Sequence, residues 1–375
     1  MDNALKELIT VSNTIGTDSS LVLGSFGNAS VKAEGGRYMY IKTSGTALKD
    51  MSSKLGWRRL EVRSVKTILK DKSIAETSAD KRPAKIAKRL LSACSDRVKP
   101  NAKPSVESCF HSILDRCVIH LHPVAVLAYV CAKNGRIELE RLFRQEKFPP
   151  LWVPYADPGY ALAKQIERLT QGYENRFGKC PSIMFLQNHG LVVTSGSSDT
   201  ALQLVRRVIT ICKSKLKRAK AGRPRMPADE VITCVASAIR RAFLHTTGAE
   251  LVVRHFIDRN IAAFMAKTDA AKLCSLAAVT PDELVYAHGP AVWLDRSDQK
   301  VLTGKLNRKI AAGHDLPVGF LIRPLGLFVA GRKEELLFLK EVISTYLAVR
   351  GFAAGFGSLH CLSKRQREFI VRMYA

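Results

Sequence analysis

The sequence predicts an α/β protein in two parts, a mixed, layered domain up to about residue 215 and a smaller α/β domain after it. Strand-like apolar runs alternate with helical segments along most of the chain, which is typical of layered α/β proteins. A basic, Pro-containing stretch interrupts this alternation near its middle. A chain of 375 residues can also bury two separate cores. We therefore expect domains at 1–215 and 226–375, joined by a basic linker at 216–225.

The amino-terminal elements frame two loops of small residues. Residues 2–14 fit an amphipathic helix, while 29–32 and 37–42 fit antiparallel strands joined by a turn. The loops are Gly-Ser-Phe-Gly-Asn at 24–28 and Thr-Ser-Gly-Thr at 43–46. Such loops let backbone N–H groups approach a phosphate or a carboxylate. Most turns of this composition bind nothing, so their significance depends on the residues further along the chain.

A strongly basic region comes next and leads into a short helix that carries an acid. Residues 57–103 predict a strand, a variable loop and the helix PAKIAKRLLSAC. We expect the following helix to begin at Ser105, a natural N-cap residue. Glu107 opens this helix one turn before His111, so both side chains can face the same space. We interpret His111 as a packing residue rather than as one that orients Glu107.

Three histidines stand at the ends of predicted strands. The segment CVIHLH predicts a buried strand whose last residues include His120 and His122, and alternation along a strand points both side chains the same way. His189 follows the apolar run SIMFLQN. An isolated H-x-H pair is often only part of a core, and a catalytic zinc normally takes three protein ligands. Three imidazoles with Glu107 nearby therefore predict a His₃ metal site with an acid/base group beside it.

The rest of the chain predicts a second α/β unit without a cluster of metal ligands. Strand patterns are ELVVRHFID and the two halves of PVGFLIRPLGLFVAG, and helical patterns include PADEVITCVASAIRRAFL and EELLFLKEVISTYLAVRGFA. The terminal segment LSKRQREFIVRMY predicts another helix. We expect this unit to extend to residue 375.

The net charge of +26 and the pI of about 9.9 are high for a metabolic enzyme. They favour nucleic-acid binding as a rival interpretation. The basic residues are spread along the chain, however, and the densest run, KSKLKRAKAGRPR, has no interleaved aromatic residues. We interpret the charge as a modifier of association kinetics and solubility, and we do not expect nucleic acid to be a partner.

Composition also bears on location. The nine cysteines form no CxxC pair and most lie among apolar residues, which indicates reduced, buried thiols. The amino terminus lacks the basic start and apolar core of a secretory signal, and no apolar run reaches the roughly 20 residues of a membrane span. We expect a cytoplasmic protein that does not enter a membrane.

Five motifs together resemble the class II aldolase/adducin family. They are GNASVK, KTSG, PSVESCFH, HLHP and QNHGLVV, they occur in that family's order, and they cover roughly residues 18–212. The longer pattern, with VPYADPG and the carboxyl-terminal extension, is similar to the aldolase portion of bifunctional rhamnulose-1-phosphate aldolase/dehydrogenase proteins. No dehydrogenase domain follows in this sequence, so the second activity is not expected.

The resemblance implies a fold and a metal centre. It implies a three-layer αβα domain with a central, mostly antiparallel sheet, assembled as a homo-oligomer, often a tetramer with sites at subunit interfaces. It implies Zn²⁺ or another divalent ion held by His120, His122 and His189, with Glu107 as the acid/base residue. Adducins have lost these ligands, so their retention here favours an enzyme.

The resemblance also implies which residues bind the substrate. Asn28, Ser44 and Gly45 match positions around its phosphate or acidic end, and Ser105 matches a serine before the glutamate. Phosphate-binding members often carry two serines there, whereas here Val106 follows Ser105. The missing hydroxyl leaves a phosphorylated ketose, a sugar acid and an unphosphorylated ketose open as substrates.

The function that these residues favour is aldol cleavage of a ketose phosphate or sugar-acid derivative. A divalent cation would stabilise the enediolate left when the C3–C4 bond breaks, and Glu107 would move a proton to or from its carbon. We expect a partly desolvated pocket to raise the pKa of Glu107. The alternatives are a pentulose-phosphate 4-epimerase, a decarboxylase or dehydratase of the same chemistry, and, from another class, a scaffold or nucleic-acid-binding protein.

Overall fold

The computed structural model describes residues 2–96, 102–217, 224–295, 299–311 and 316–374. These residues form two compact units. Unit 1 contains the described residues up to Leu216 together with those from Glu368 onwards, and unit 2 contains those from Lys217 to Arg367. Most of the predicted linker, residues 218–223, lies outside the described residues.

Within the described part of the chain, unit 1 is built on a seven-stranded sheet. Its strands are β1 (Asn28–Ala33), β2 (Tyr38–Lys42), β3 (Trp57–Glu61), β4 (Cys117–Leu121), β5 (Leu151–Val153), β6 (Ile183–Leu186) and β7 (Gly190–Ser195). Their order is β3-β2-β1-β4-β7-β6-β5, and only the β5–β6 pair is parallel. The expected mostly antiparallel sheet is confirmed.

Helices cover both faces of this sheet. They are α1 (Asn3–Gly16), α2 (Val62–Lys70), α3 (Lys72–Ala75), α4 (Arg82–Ser92), α5 (Ser108–Ile113), α6 (Val124–Val130), α7 (Gly135–Leu142), α8 (Tyr160–Phe177) and α9 (Ser198–Lys213). Helices α1, α6 and α9 pack on β1, β4 and β7. Helices α2, α4, α5 and α8 share one apolar core with the other face of the sheet. This is the three-layer αβα arrangement that the resemblance implied.

The central strand β4 explains how the site is placed. All five of its residues are buried, because β4 lies between β1 and β7 with a helical layer on each side. Ile119 and Leu121 share one face of the strand, and Val118 and His120 share the other. Val118 belongs to the core shared with α5, so His120 is directed towards that helix. The rings of Phe110 in α5 and His120 pack nearly at right angles, with their centroids 5.8 Å apart.

Two local predictions in unit 1 were wrong. The variable loop after β3 is the helix α2, and its apolar residues at 62, 65, 68 and 69 have the helical spacing that reveals it. Helix α5 begins at Ser108 rather than Ser105, with Glu107 in the N-cap position. The chain from Pro104 to Ser105 instead continues beside β2, where it bonds to the backbone of Lys42 and forms a bridge with Thr43.

Unit 2 contains a four-stranded sheet in the order β8-β11-β10-β9, again counting the described residues. Its elements are α10 (Asp229–Thr247), β8 (Val252–Phe256), α11 (Arg259–Met265), α12 (Ala270–Ser275), α13 (Pro281–Ala287), β9 (Val292–Leu294), α14 (Gln299–Ala311), β10 (Gly319–Ile322), β11 (Gly326–Gly331) and α15 (Leu336–Ala353). Arg350 forms a buried ion pair with Glu283, at 2.8 Å between Nε and Oε1. These strands and helices form the smaller α/β unit that the sequence predicted.

The last helix, α16 (Lys364–Tyr374), differs from the predicted domain boundary. The prediction assigned it to the second domain, but its residues from Glu368 onwards belong to unit 1. There Phe369 and Met373 line an apolar pocket with Ile86 and Leu90 of α4. Across the described residues, no helix combines the length and the apolar character needed to cross a membrane.

Candidate metal centre and substrate loops

His120 and His122 converge at the carboxyl end of β4. Their Nε2 atoms lie 2.9 Å apart, with the ring planes inclined by 72°. His120 is fully buried and His122 is half-buried. The strand alternation that the sequence indicated is therefore the geometry that brings the two imidazoles to one side of the sheet.

His189 reaches the same point from the turn between β6 and β7. Its Nε2 atom lies 3.2 Å from Nε2 of His120. Asn188, before it, has a φ of 55° and donates its backbone N–H to the carbonyl of Val130. Gly190, after it, lies against β4, where an added Cβ would be 2.4 Å from the carbonyl oxygen of Leu121. The turn thus needs a left-handed residue and a glycine to present His189.

The three imidazoles fit a divalent metal ion. One nitrogen from each ring lies within 4.8 Å of the other two. Nδ1 of His120 lies 2.9 Å from the carbonyl oxygen of Leu191, and donation of its hydrogen there leaves the lone pair on Nε2, which faces the other rings. Burial, the largest influence, holds the pKa of His120 well below its ordinary value of 6.5. A neutral imidazole is the form that ligates a metal, and three nitrogen donors suit zinc.

Glu107 lies directly beside the imidazoles. Its Oε1 is 3.3 Å from Nε2 of His189, and its Oε2 is 3.4 Å from Nε2 of His120. The Asn28 amide donates a 2.7 Å hydrogen bond to Oε2. Burial disfavours the charged form of Glu107, but protonation of the neighbouring imidazoles as the pH falls, together with the Asn28 amide, outweighs burial and holds the pKa of Glu107 well below 4.5. The expected rise in this pKa is therefore wrong, because sequence alone does not reveal these partners.

Asn28 joins this group because it opens β1 and pairs in register with His120. Its side chain is almost fully buried, and Oδ1 has no hydrogen-bond partner among the described residues. Gly27, before it, has a φ of 68° and lies so close to β4 that a Cβ would be 2.5 Å from the His120 carbonyl oxygen. The Nδ2 group of Asn28 therefore holds the Glu107 carboxylate, while its Oδ1 atom accepts no hydrogen bond from the described residues.

The two small-residue loops are joined by Lys42, which sequence reasoning missed. Its buried ammonium group donates to the carbonyls of Ser25 at 3.2 Å and Thr46 at 2.7 Å, one in each loop, and also to that of Thr43. Burial lowers the pKa of Lys42 to about 8, and the charge of Glu107 partly opposes this. A lysine at the buried end of the strand YMYIK, directly before the loop, was the available signal.

Ser44, Gly45 and Ser105 lie on adjoining segments. The N–H of Ser44 donates to the carbonyl of Lys103, and its hydroxyl is 3.5 Å from the carbonyl oxygen of Pro104. Gly45 has a φ of 81° with open space where a Cβ would be. The Ser105 hydroxyl accepts the backbone N–H of Glu107 at 3.3 Å. Ser105 thus positions the Glu107 backbone, whereas the sequence predicted it as the cap of α5.

His111 packs beneath the site. Its Nδ1 lies 2.8 Å from the Ser30 hydroxyl, and its ring stacks on Phe110. Complete burial lowers the pKa of His111 to about 3, so the ring is neutral. No hydrogen bond joins its ring to the carboxylate of Glu107 among the described residues. The geometry agrees with packing rather than with orientation of that carboxylate.

The comparisons with known proteins assign the family. The sequence model of one protein family, described as the class II aldolase and adducin N-terminal domain, matches residues 6–216, more than half of the chain. The protein therefore belongs to the class II aldolase and adducin family. The matched segment contains all the site residues described above.

Individual relatives are more distant. A curated protein of Bacillus subtilis (strain 168), called an uncharacterized oxidoreductase, YuxG, is 24% identical over 333 residues. That match covers 84% of this chain and 45% of the relative, so the chain spans about half the length of that protein.

Two solved structures are also similar to this chain. The N-terminal class II aldolase domain of a conserved protein from Thermoplasma acidophilum is 24% identical, with a TM-score of 0.46 over 58% of this chain and 95% of that one. A sugar-phosphate aldolase from Thermotoga maritima is 12% identical, with a TM-score of 0.40 over 56% of this chain and 92% of that one.

Proposed function

We propose that the protein is a divalent-metal-dependent lyase, with zinc as its ion, that cleaves a ketose phosphate or sugar-acid derivative by retro-aldol chemistry. The observation that carries this proposal is the position of Glu107. Its carboxylate lies within 3.4 Å of two imidazoles of a three-histidine cluster and is held by an amide. A metal ion next to an ionised carboxylate is the pairing that proton transfer beside a carbonyl requires.

In this proposal each residue has a separate task. A divalent ion held by His120, His122 and His189 would supply Lewis-acid polarisation of the substrate's carbonyl. As the C3–C4 bond breaks, the C4 hydroxyl loses its proton and the bonding electrons pass to the enediolate. Glu107, ionised at rest because of its low pKa, takes up that proton and delivers it to C3. Asn28 orients the carboxylate through one side-chain atom, and its Oδ1 accepts a substrate hydroxyl.

The substrate's acidic end fits the two small-residue loops. Gly45 leaves the backbone of its loop open, because no atom lies within 4 Å of the position that a Cβ would occupy. Lys42 holds the two loops together from beneath and adds positive charge. We also propose that the protein is cytoplasmic and that it forms a homo-oligomer. The family resemblance favours a tetramer. The nine cysteines are free thiols, which suits a reducing compartment.

The first test measures metal content. Purified protein should contain one zinc or other divalent ion per chain, and His120→Ala should lose it. Removal of His120 deletes the nitrogen that approaches both other ligands. Wild-type protein that remains without a divalent ion after incubation with excess metal would refute the proposed centre.

The second test separates the carboxylate from the metal. Glu107→Gln should keep the metal and lose about 10²–10⁴ in cleavage rate, because the amide cannot accept the proton. Glu140→Gln is the matched control, since Glu140 is an exposed residue of α7 that pairs only with the exposed Arg136 among the described side chains. The assay follows aldehyde release from a panel of ketose phosphates and sugar acids. Full activity of Glu107→Gln would exclude Glu107 as the acid/base residue.

The same assay separates the alternatives. An isomerised sugar without free aldehyde would assign the 4-epimerase reaction, which breaks and re-forms the same bond. Release of carbon dioxide or water would assign a decarboxylase or dehydratase. An aldehyde with a three-carbon ketone or acid supports the lyase.

A further inference from the structure

Helix α2 presents an exposed face made of cations. Its apolar residues, Val62, Val65, Ile68 and Leu69, are buried against the rest of unit 1. Arg63, Lys66, Thr67 and Lys70 are exposed and share the opposite face, with the cations at positions i, i+3 and i+7. At 1.5 Å per residue the row is about 10 Å long. The helix therefore offers a line of positive charge with no apolar side chain in it.

A groove runs beside this face and keeps the same sign of charge. It is lined by Arg63, Lys66 and Lys70 of α2 and by Arg37 from the turn before β2. Glu61 is the one carboxylate in its lining, and it accepts a hydrogen bond from Ser64. In the part of the chain that the structure describes, the three α2 cations form no ion pair or hydrogen bond through their side chains. They are therefore available to an anionic ligand.

The local sequence is more basic than the chain as a whole. Residues 57–103 contain 14 Lys and Arg against five Asp and Glu, a net +9 of the total +26. About an eighth of the chain thus carries a third of its net charge. The adjoining concavity, which shares Gly36, Val62 and Lys66, also contains Asp2, Glu34 and Asp115, so the excess of cations along the groove ends there. The charge is concentrated where the proposed lyase function does not use it.

We propose that this strip, Arg37, Arg63, Lys66 and Lys70, binds the phosphate backbone of a single-stranded nucleic acid. Backbone contacts need only cations and hydrogen-bond donors, and the strip provides these. An amphipathic helix that inserts into a membrane, or the centre of a protein–protein interface, carries exposed apolar anchors, which these residues lack. Because contacts to phosphates carry no sequence information, the binding is independent of sequence, with a dissociation constant on the order of 10⁻⁴–10⁻⁶ M. This binding is separate from the proposed metal centre.

The test uses the full chain and a fluorescent oligo(dT) of about 12 nucleotides, a length within the range of single-strand sites. Affinity is measured from about 25 to about 200 mM salt, and the logarithm of the association constant is plotted against that of the salt concentration. The slope of this plot is negative, and its magnitude should fall by about 2 in the variant Arg63→Glu/Lys66→Glu/Lys70→Glu. Each lost single-strand contact removes about 0.7 from that magnitude. At the lowest salt the affinity should fall at least about tenfold.

Two further variants make the outcome decisive. Arg168→Glu/Arg206→Glu/Lys213→Glu makes the same change in net charge at exposed positions of α8 and α9, and it should keep most of the slope. The neutral variant Arg63→Gln/Lys66→Gln/Lys70→Gln keeps the apolar face of α2 and should reproduce the loss without charge reversal. Equal losses in the two charge-reversed variants would overturn the proposal, as would absence of binding by the wild type. Equally tight binding of poly-glutamate or of anionic vesicles would also overturn it.

Discussion

Replacement of Gly27 by alanine tests how closely β1 and β4 must approach to build the metal centre. Gly27 combines a φ of 68° with close contact, since a Cβ would lie 2.5 Å from the carbonyl oxygen of His120. Gly35 has a nearly equal φ of 64° but no atom within 4 Å of its Cβ position. The two substitutions share the backbone strain and differ in the clash.

The magnitudes follow from these two terms. A left-handed conformation costs an alanine about 1–2 kcal/mol, and Gly35→Ala should lose only that. Gly27→Ala adds overpacking against a backbone oxygen that belongs to a buried strand, at about 1–3 kcal/mol more. We therefore expect a loss of about 3 kcal/mol of unfolding free energy for Gly27→Ala and about 1 kcal/mol for Gly35→Ala.

The assay has two readouts. Urea unfolding monitored by circular dichroism gives the two free energies, and competition with a chelator gives zinc affinity. Gly27→Ala should weaken zinc binding about tenfold or more, because relief of the clash moves the backbone of His120. Gly35→Ala should leave zinc affinity unchanged. Equal stability losses and equal zinc affinities in the two variants would refute the close approach of β1 to β4.

Three other predictions follow from buried polar groups. Folding removes the charge of His111, whose pKa falls from 6.5 to about 3. The stability that the neutral ring contributes is complete above pH 6.5 and is lost as the pH falls. Wild type should therefore lose about 3 kcal/mol more than His111→Gln between about pH 7 and pH 4.5 in urea unfolding, and equal losses would contradict this. Lys42→Met should speed amide hydrogen exchange in residues 24–27 and 43–46, because the ammonium group bonds to both loops; unchanged exchange would exclude the tie. Arg350→Met should cost about 3–5 kcal/mol by leaving Glu283 buried without its partner, and Arg350→Met/Glu283→Gln should recover part of it; a single variant as stable as wild type would rule out the pair.

The parts of the fold that sequence predicted best depend on short-range regularities. Alternation in CVIHLH was enough to place His120 and His122 on one side of a buried strand. The antiparallel order of the sheet came from the family resemblance, because strand patterns alone do not specify which strands pair. Helix α2 was missed although its apolar spacing was visible, since the high charge of the region favoured a loop.

The parts that sequence did not predict depend on contacts between distant segments. The low pKa of Glu107 arises from Asn28 and from two histidines that lie 13 and 82 positions further along the chain. The role of Lys42 depends on carbonyl groups of two loops that meet only in the folded sheet. The return of α16 to unit 1 depends on an apolar pocket that includes Ile86 and Leu90 of α4, more than 250 residues earlier in the chain. None of these can be read from local periodicity.

The way in which Lys42 joins the loops has a consequence for engineering. All of its acceptors are main-chain oxygens, so the tie does not depend on which side chains occupy positions 25, 43 and 46. Libraries randomised at position 25 should therefore keep the loop framework, whereas Thr43 is buried and its hydroxyl bonds to that of Thr46 at 2.8 Å. A scaffold anchored in this way is suited to changing its substrate range without rebuilding the metal centre.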